Sequence, residues 1–163
     1  MASPTGYSGP QILLHWVIGM MIIFQLIFGE AMGMAWRSVE TGAVPVMGSM
    51  VWAHILVGGA VLALVAWRLA LRLTRGVPPP PATGARPLRL AAHVAHWALY
   101  ALMVLFPVTG LLAWFGGLAQ LAEVHQAMKP VAVLLILLHL VAALWHQFWV
   151  KDNLLSRMKT PQA

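Results

Sequence analysis

Cysteine is absent from all 163 residues. Its absence excludes disulfides, thiolate-ligated iron–sulfur clusters, sulfur-based zinc sites and covalent haem attachment through C-x-x-C-H. Carboxylates are scarce as well: Glu30, Glu40, Glu123 and Asp152 are the full set, against seven histidines. A closed zinc or copper site takes three or four converging groups, usually with a carboxylate or water among them, so it is short of partners here. None of H-E-x-x-H, Walker A, G-x-S-x-G or G-x-G-x-x-G occurs, which removes the motif-based hydrolase and nucleotide-binding readings. Whatever chemistry the chain performs must rest on imidazole.

What the chain does have is apolar length. Hydrophobic residues make up 61%, charged residues 9%, and the mean hydropathy is +0.81, far from soluble domains and in the range of integral membrane proteins. Stretches 1–29, 41–67, 90–122 and 130–150 contain no Asp, Glu, Lys or Arg, and each can hold the ~20 residues of a spanning helix. The expected fold is therefore all-α, an integral membrane four-helix bundle with spans at about 10–34, 48–73, 89–115 and 121–150, one domain over 1–163. A signal peptide is not expected, because Arg37 is the first basic residue and no positive segment precedes the apolar run.

Arg68, Arg72, Arg75, Arg86 and Arg89 crowd the connection between spans two and three, and Lys151, Arg157 and Lys159 follow span four. The positive-inside rule then puts both termini in the cytoplasm. The +6 charge is a topology signal with lipid head groups as counterions, and no nucleic-acid partner is expected. The prolines of 76–84 read as a semi-rigid linker between two hairpins. Phe106-Pro107-Val108-Thr109-Gly110 should bend span three, and Gly29 with Gly33 forms a GxxxG that allows close backbone approach.

His125 and His139 lie 14 residues apart on one apolar segment, on nearly one face and about 21 Å apart along the axis. One helix could serve two stacked cofactors. Ionisable side chains in lipid default to function, and a haem needs just two ligands, above and below the ring. Depth pairs His54 with His125 for an outer haem and His15 with His139 for an inner one. The second ring nitrogens are expected to donate one turn back, to the carbonyls of Gln11, Met50, Leu121 and Leu135. His93 and His96 are rivals for the inner site but sit near the interface, where supporting roles suit them. His146, beside Lys151 and Asp152, reads either as a contact to a quinone head group or proton path, or as a snorkelling interface residue.

Leu14-His15-Trp16, Ala53-His54, Ala92-His93-Val94-Ala95-His96, and above all His139 to Met158 with Trp149-Val150-Lys151-Asp152-Asn153, resemble the bacterial cytochrome b561 family along essentially the whole chain. The histidine layout is also similar to the cytochrome b subunits of formate dehydrogenases and hydrogenases. The family resemblance implies two haem b groups on the four paired histidines, a bacterial inner-membrane location, and electron transfer from an outer-face donor to quinone. It further implies oxidation of superoxide to dioxygen with ubiquinone as acceptor, and a quinone site for which His146 and Lys151 are candidates. Lys129 could then draw an anionic donor toward the outer haem, and Arg68 or Arg72 could neutralise propionates of the inner one. The outer connections carry just Arg37 and Lys129 as cations, a thin funnel for superoxide. Two alternatives stand beside this: a relay between a partner dehydrogenase and quinone, and a histidine-lined metal-ion or proton channel.

Overall fold

The computed structural model describes residues 4–80 and 86–161. Five helices run in order: α1 Gly9–Phe28, α2 Glu30–Glu40, α3 Ser49–Arg75, α4 Arg86–Gly116 and α5 Ala119–Trp145, with no strand among the described residues. A π turn, His146–Val150, prolongs α5, and a short 3₁₀ turn, Leu154–Met158, follows. The helices α1, α3, α4 and prolonged α5 are each long and apolar enough to cross a membrane. The chain is thus an all-helical, multi-pass membrane protein.

The first span departs from the expected 10–34. Helix α1 stops at Phe28 and α2 starts at Glu30. The 20 residues of α1 rise about 30 Å, the thickness of the hydrocarbon, so lipid makes no further demand on the chain when the charge of Glu30 arrives. Helix α2 is amphipathic: it buries Ala35 and Trp36 and exposes Arg37 and Glu40. It lies against α3 at the outer end, and Trp36 Nε1 donates to Glu40 Oε1 at 2.8 Å.

Proline does not interrupt α4, which runs unbroken through Pro107. The proline supplies no N–H to the carbonyl four residues back, while the Thr109 hydroxyl donates to the carbonyls of Leu105 and Phe106 at 2.7 and 3.1 Å. At the other end of α3, Gly76 takes φ +77°, a conformation that suits a residue without Cβ, and its carbonyl accepts from Gln11 Nε2 at 3.0 Å. The expected linker continues irregularly through Pro80, and its residues 81–84 lie outside those described.

Neighbouring helices pack in succession, α1 on α3, α3 on α4 and α4 on α5, whereas the backbone of α5 stands back from α1 and α3. An inner core joins Leu14, Ile18, Val61, Val65 and Tyr100, and an outer one Trp36, Ala113 and Ala122. Large apolar side chains such as Leu13, Met20, Leu56 and Leu137 are exposed, as the lipid-facing surface of a bundle requires. The GxxxG reading holds for half its pair: a side chain at Gly29 would meet the His54 ring, but nothing lies within 4 Å of Gly33. Most basic residues, Arg37 and Lys129 excepted, gather at one end, which Trp16 Nε1 ties to the Met158 carbonyl at 2.7 Å and Arg157 to the Pro79 carbonyl at 2.9 Å.

Candidate functional site

Facing imidazoles occur at two levels across the space between α5 and the α1–α3 pair. The rings of His54 and His125 have centroids 6.3 Å apart at 61°, and those of His15 and His139 6.0 Å apart at 63°. These are the two pairs expected from depth. Two imidazoles on opposite sides of one metal, each about 2 Å from it through nitrogen with the ring centre about 1.2 Å beyond, have centroids roughly 6.4 Å apart. Both pairs fit that spacing, so each could hold a haem iron. No group of three or more His, Asp or Glu side chains converges among the described residues, a donor set that suits a porphyrin better than a bare cation.

Hydrogen bonding to the second ring nitrogens differs from expectation. His125 Nδ1 reaches across to α4, donating to the Phe106 carbonyl at 2.9 Å with Thr109 Oγ at 3.3 Å, instead of turning back to Leu121. Because a carbonyl can accept only, Nδ1 carries the proton and Nε2 is left for a metal. Gly110 makes this approach possible: a Cβ there would stand 3.1 Å from the ring. His54 Nδ1 is buried without a partner instead of bonding to Met50. The Gln11 carbonyl is taken by Arg68, whose other terminal nitrogen stands 3.5 Å from His15 Nδ1. His139 meets the His15 and His96 rings, the latter at 5.3 Å and 86°. At His125 helix-to-helix reach overrides the one-turn-back pattern, which is followed by His96, whose Nδ1 lies 2.6 Å from the Ala92 carbonyl.

Around the inner pair, Arg72 stacks on Trp97 and Tyr100 at 5.1 and 5.5 Å, a cation–π arrangement that anchors it. Arg68 is thus the arginine beside His15. Tyr7 closes the same end, and burial pushes its hydroxyl above the usual tyrosine pKa, against the lowering influence of Arg68 and Arg72. His93 Nε2 accepts from Trp97 Nε1 at 3.1 Å. Lys129 is exposed one turn past His125 toward the membrane interior, not at the outer rim.

His146 has a partner that the sequence reading passed over. Its Nδ1 meets Asp152 Oδ2 at 2.7 Å, and Asp152 Oδ1 accepts from the Leu154 N–H at 3.2 Å. The π turn and the left-handed residues Lys151 (φ +56°) and Asn153 (φ +59°) fold the chain back to make this contact. Such backbone irregularities concentrate at functional sites. Lys151 itself is exposed. Gln25 was also missed: its Nε2 donates to the His54 carbonyl at 2.8 Å. The available signal was an amide inside an otherwise apolar run. Beyond the outer pair, a cavity of about 360 Å³ is lined by Trp36, Glu40, Pro45, Ala113, Trp114 and neighbours.

Residues 6–161 match the family model described as prokaryotic cytochrome b561. The chain is 39% identical to cytochrome b562 of Cereibacter sphaeroides over 99% of its own length and 100% of that protein's. It is 28% identical to the probable superoxide oxidase CybB of Yersinia pestis, over 93% of this chain and 94% of the relative.

Proposed function

This chain belongs to the prokaryotic cytochrome b561 family, membrane proteins that move electrons on haem b, and we propose that it carries two haems which pass electrons from an outer-face donor to a quinone near the cytoplasmic end. The observation that carries this reading is the presence of two ring pairs with centroids 6.3 and 6.0 Å apart, a spacing that suits two ligands of one metal, with His125 and His139 at two depths on α5. When bound, haem supplies iron that is reversibly reduced by one electron. His54 and His125 would hold the outer iron and His15 and His139 the inner one.

The remaining side chains bind, orient and move protons. The Phe106 carbonyl holds the His125 proton on Nδ1, and Arg68 places a cation next to the inner pair for propionates. His146 lies seven residues beyond His139 on the continuing helix, about 10 Å further toward the basic end. Hydrogen-bonded through Nδ1 to Asp152, it is suited to hand a proton from its other nitrogen to a quinone oxygen, with Lys151 at the aqueous edge. Superoxide as donor rests on the name of the Yersinia relative, and ubiquinone as acceptor on the family resemblance alone. Superoxide gives one electron and becomes dioxygen, whereas quinone takes two electrons and two protons, so two iron sites match donor to acceptor.

One observation favours a second reading of the donor. Glu40 is the ionisable residue lining the outer cavity, and a carboxylate repels an anion, so an uncharged reductant suits that cavity better than superoxide. The test mixes purified protein, superoxide and a soluble ubiquinone analogue and follows quinol. Superoxide-dependent quinol above the uncatalysed level supports the oxidase. Haem that stays oxidised with superoxide but is reduced by an uncharged reductant supports the second reading. A purified protein with no reducible b-type spectrum refutes both and leaves the channel alternative.

A further inference from the structure

We propose that Gln25 is a positioning residue for His54: its side-chain carbonyl accepts the His54 Nδ1 proton, directly after a small rotation or across one water molecule, and so holds Nε2 toward the outer iron. This rests on the reading of His54 as a ligand. Four observations carry it. Gln25 interrupts Met20-Met21-Ile22-Ile23-Phe24 and Leu26-Ile27-Phe28, where an amide facing lipid would be expensive. Its Nε2 is already fastened to the His54 backbone carbonyl at 2.8 Å, which brings the amide to this residue. Gln25 Oε1 and His54 Nδ1 are both buried without partners, one an acceptor and the other a donor in the tautomer that metal binding at Nε2 demands. Glycines keep the room: a Cβ at Gly58 would stand 3.2 Å from Gln25 Nε2, and one at Gly29 3.8 Å from His54 Nδ1.

The opposite ligand, His125, has its Nδ1 partner in the Phe106 carbonyl. Gln25 gives His54 the equivalent. An acceptor on Nδ1–H makes the imidazole more basic, which stabilises the oxidised iron and lowers its potential.

The test uses purified haem-loaded protein carrying Gln25→Met, close in volume but without the acceptor, and Gln25→Glu, which keeps one. Haem content, optical redox titration and electron paramagnetic resonance of the oxidised haems are read. His54→Ala identifies which titration step is the outer one. Gln25→Met is expected to keep both haems, shift the outer step upward in potential and move the outer resonance, with the inner step unchanged and Gln25→Glu restoring the native position or lower. Loss of outer haem in Gln25→Met with retention in Gln25→Glu supports the proposal equally. Unchanged potentials and resonances in Gln25→Met, or equal haem loss in both variants, overturn it. His54→Ala retaining both haems would refute the ligand reading underneath, a result distinguishable from failure of Gln25 alone.

Discussion

Neutral hydrogen-bonding groups hold the outer histidine pair, with Lys129 one turn from His125 as its nearby cation, whereas the inner pair lies at the end where the arginines gather. At the outer level the neighbours of His54 and His125 are the Phe106 carbonyl, the Thr109 hydroxyl and the Gln25 amide, with Glu40 beyond them. At the inner level Arg68 stands beside His15, and Arg72, Arg75, Arg86 and Arg89 occupy the same end of α3 and α4. Reduction of an iron removes positive charge, so nearby cations favour the reduced state and acceptor bonds to ligand imidazoles favour the oxidised one. If both pairs hold haem as proposed, Arg68 would favour reduction at the inner iron and the Phe106 carbonyl would favour oxidation at the outer one. Under the proposed function, electrons delivered outside would then run toward the cytoplasmic end, where His146 and Asp152 would supply protons.

The largest test of this asymmetry removes ligands. His125→Ala or His54→Ala is expected to lose the outer haem, cutting b-type absorbance per protein by about half, while His15→Ala or His139→Ala loses the inner one. Two full haems in His125→Ala would contradict the pairing. Next comes Gly110→Val, which places carbon where the His125 ring lies, 3.1 Å from the first added atom. Outer haem occupancy should fall while Gly33→Ala, facing open space, matches the native protein in the same pigment assay.

Arg68→Gln probes the inner side. Arg68 stands 3.5 Å from His15 Nδ1, and two unit charges about 8 Å apart interact by about 2 kcal/mol at an effective dielectric of 20, so potentiometry should find the inner potential lowered by up to that amount and the outer one nearly unmoved. An equal shift of both steps would show that the charge acts through the whole bundle. The smallest effect is expected from Asp152→Asn. Both haems and their reduction from outside should persist, while quinone reduction slows about tenfold as His146 loses its orienting carboxylate. An unchanged quinone rate in stopped-flow returns His146 to an interface role.

Much of the candidate site is legible in the order of the residues. His15, His54, His125 and His139 announce themselves as ionisable residues in apolar runs, and their ordering along alternating spans sorts them by depth. Glu30 announced the end of the first span just as clearly, yet the run past it concealed a break, since α2 is held by Trp36 and Ala35 packing at the outer end. Gln25 and the Phe106 carbonyl were invisible as partners. Each acts on a histidine 29 or 19 residues away, on a different helix, and no periodicity connects them.

The four apolar runs, their polarity of charge and the heights of the histidines follow from residue order, because lipid solvation is decided residue by residue along each rod. Which nitrogen each imidazole offers, and which carbonyl or amide holds the other, depends on how the rods are rotated and spaced. That choice was made by Gly110 and Gly29 letting neighbours come close, and by α5 standing apart from α1 and α3.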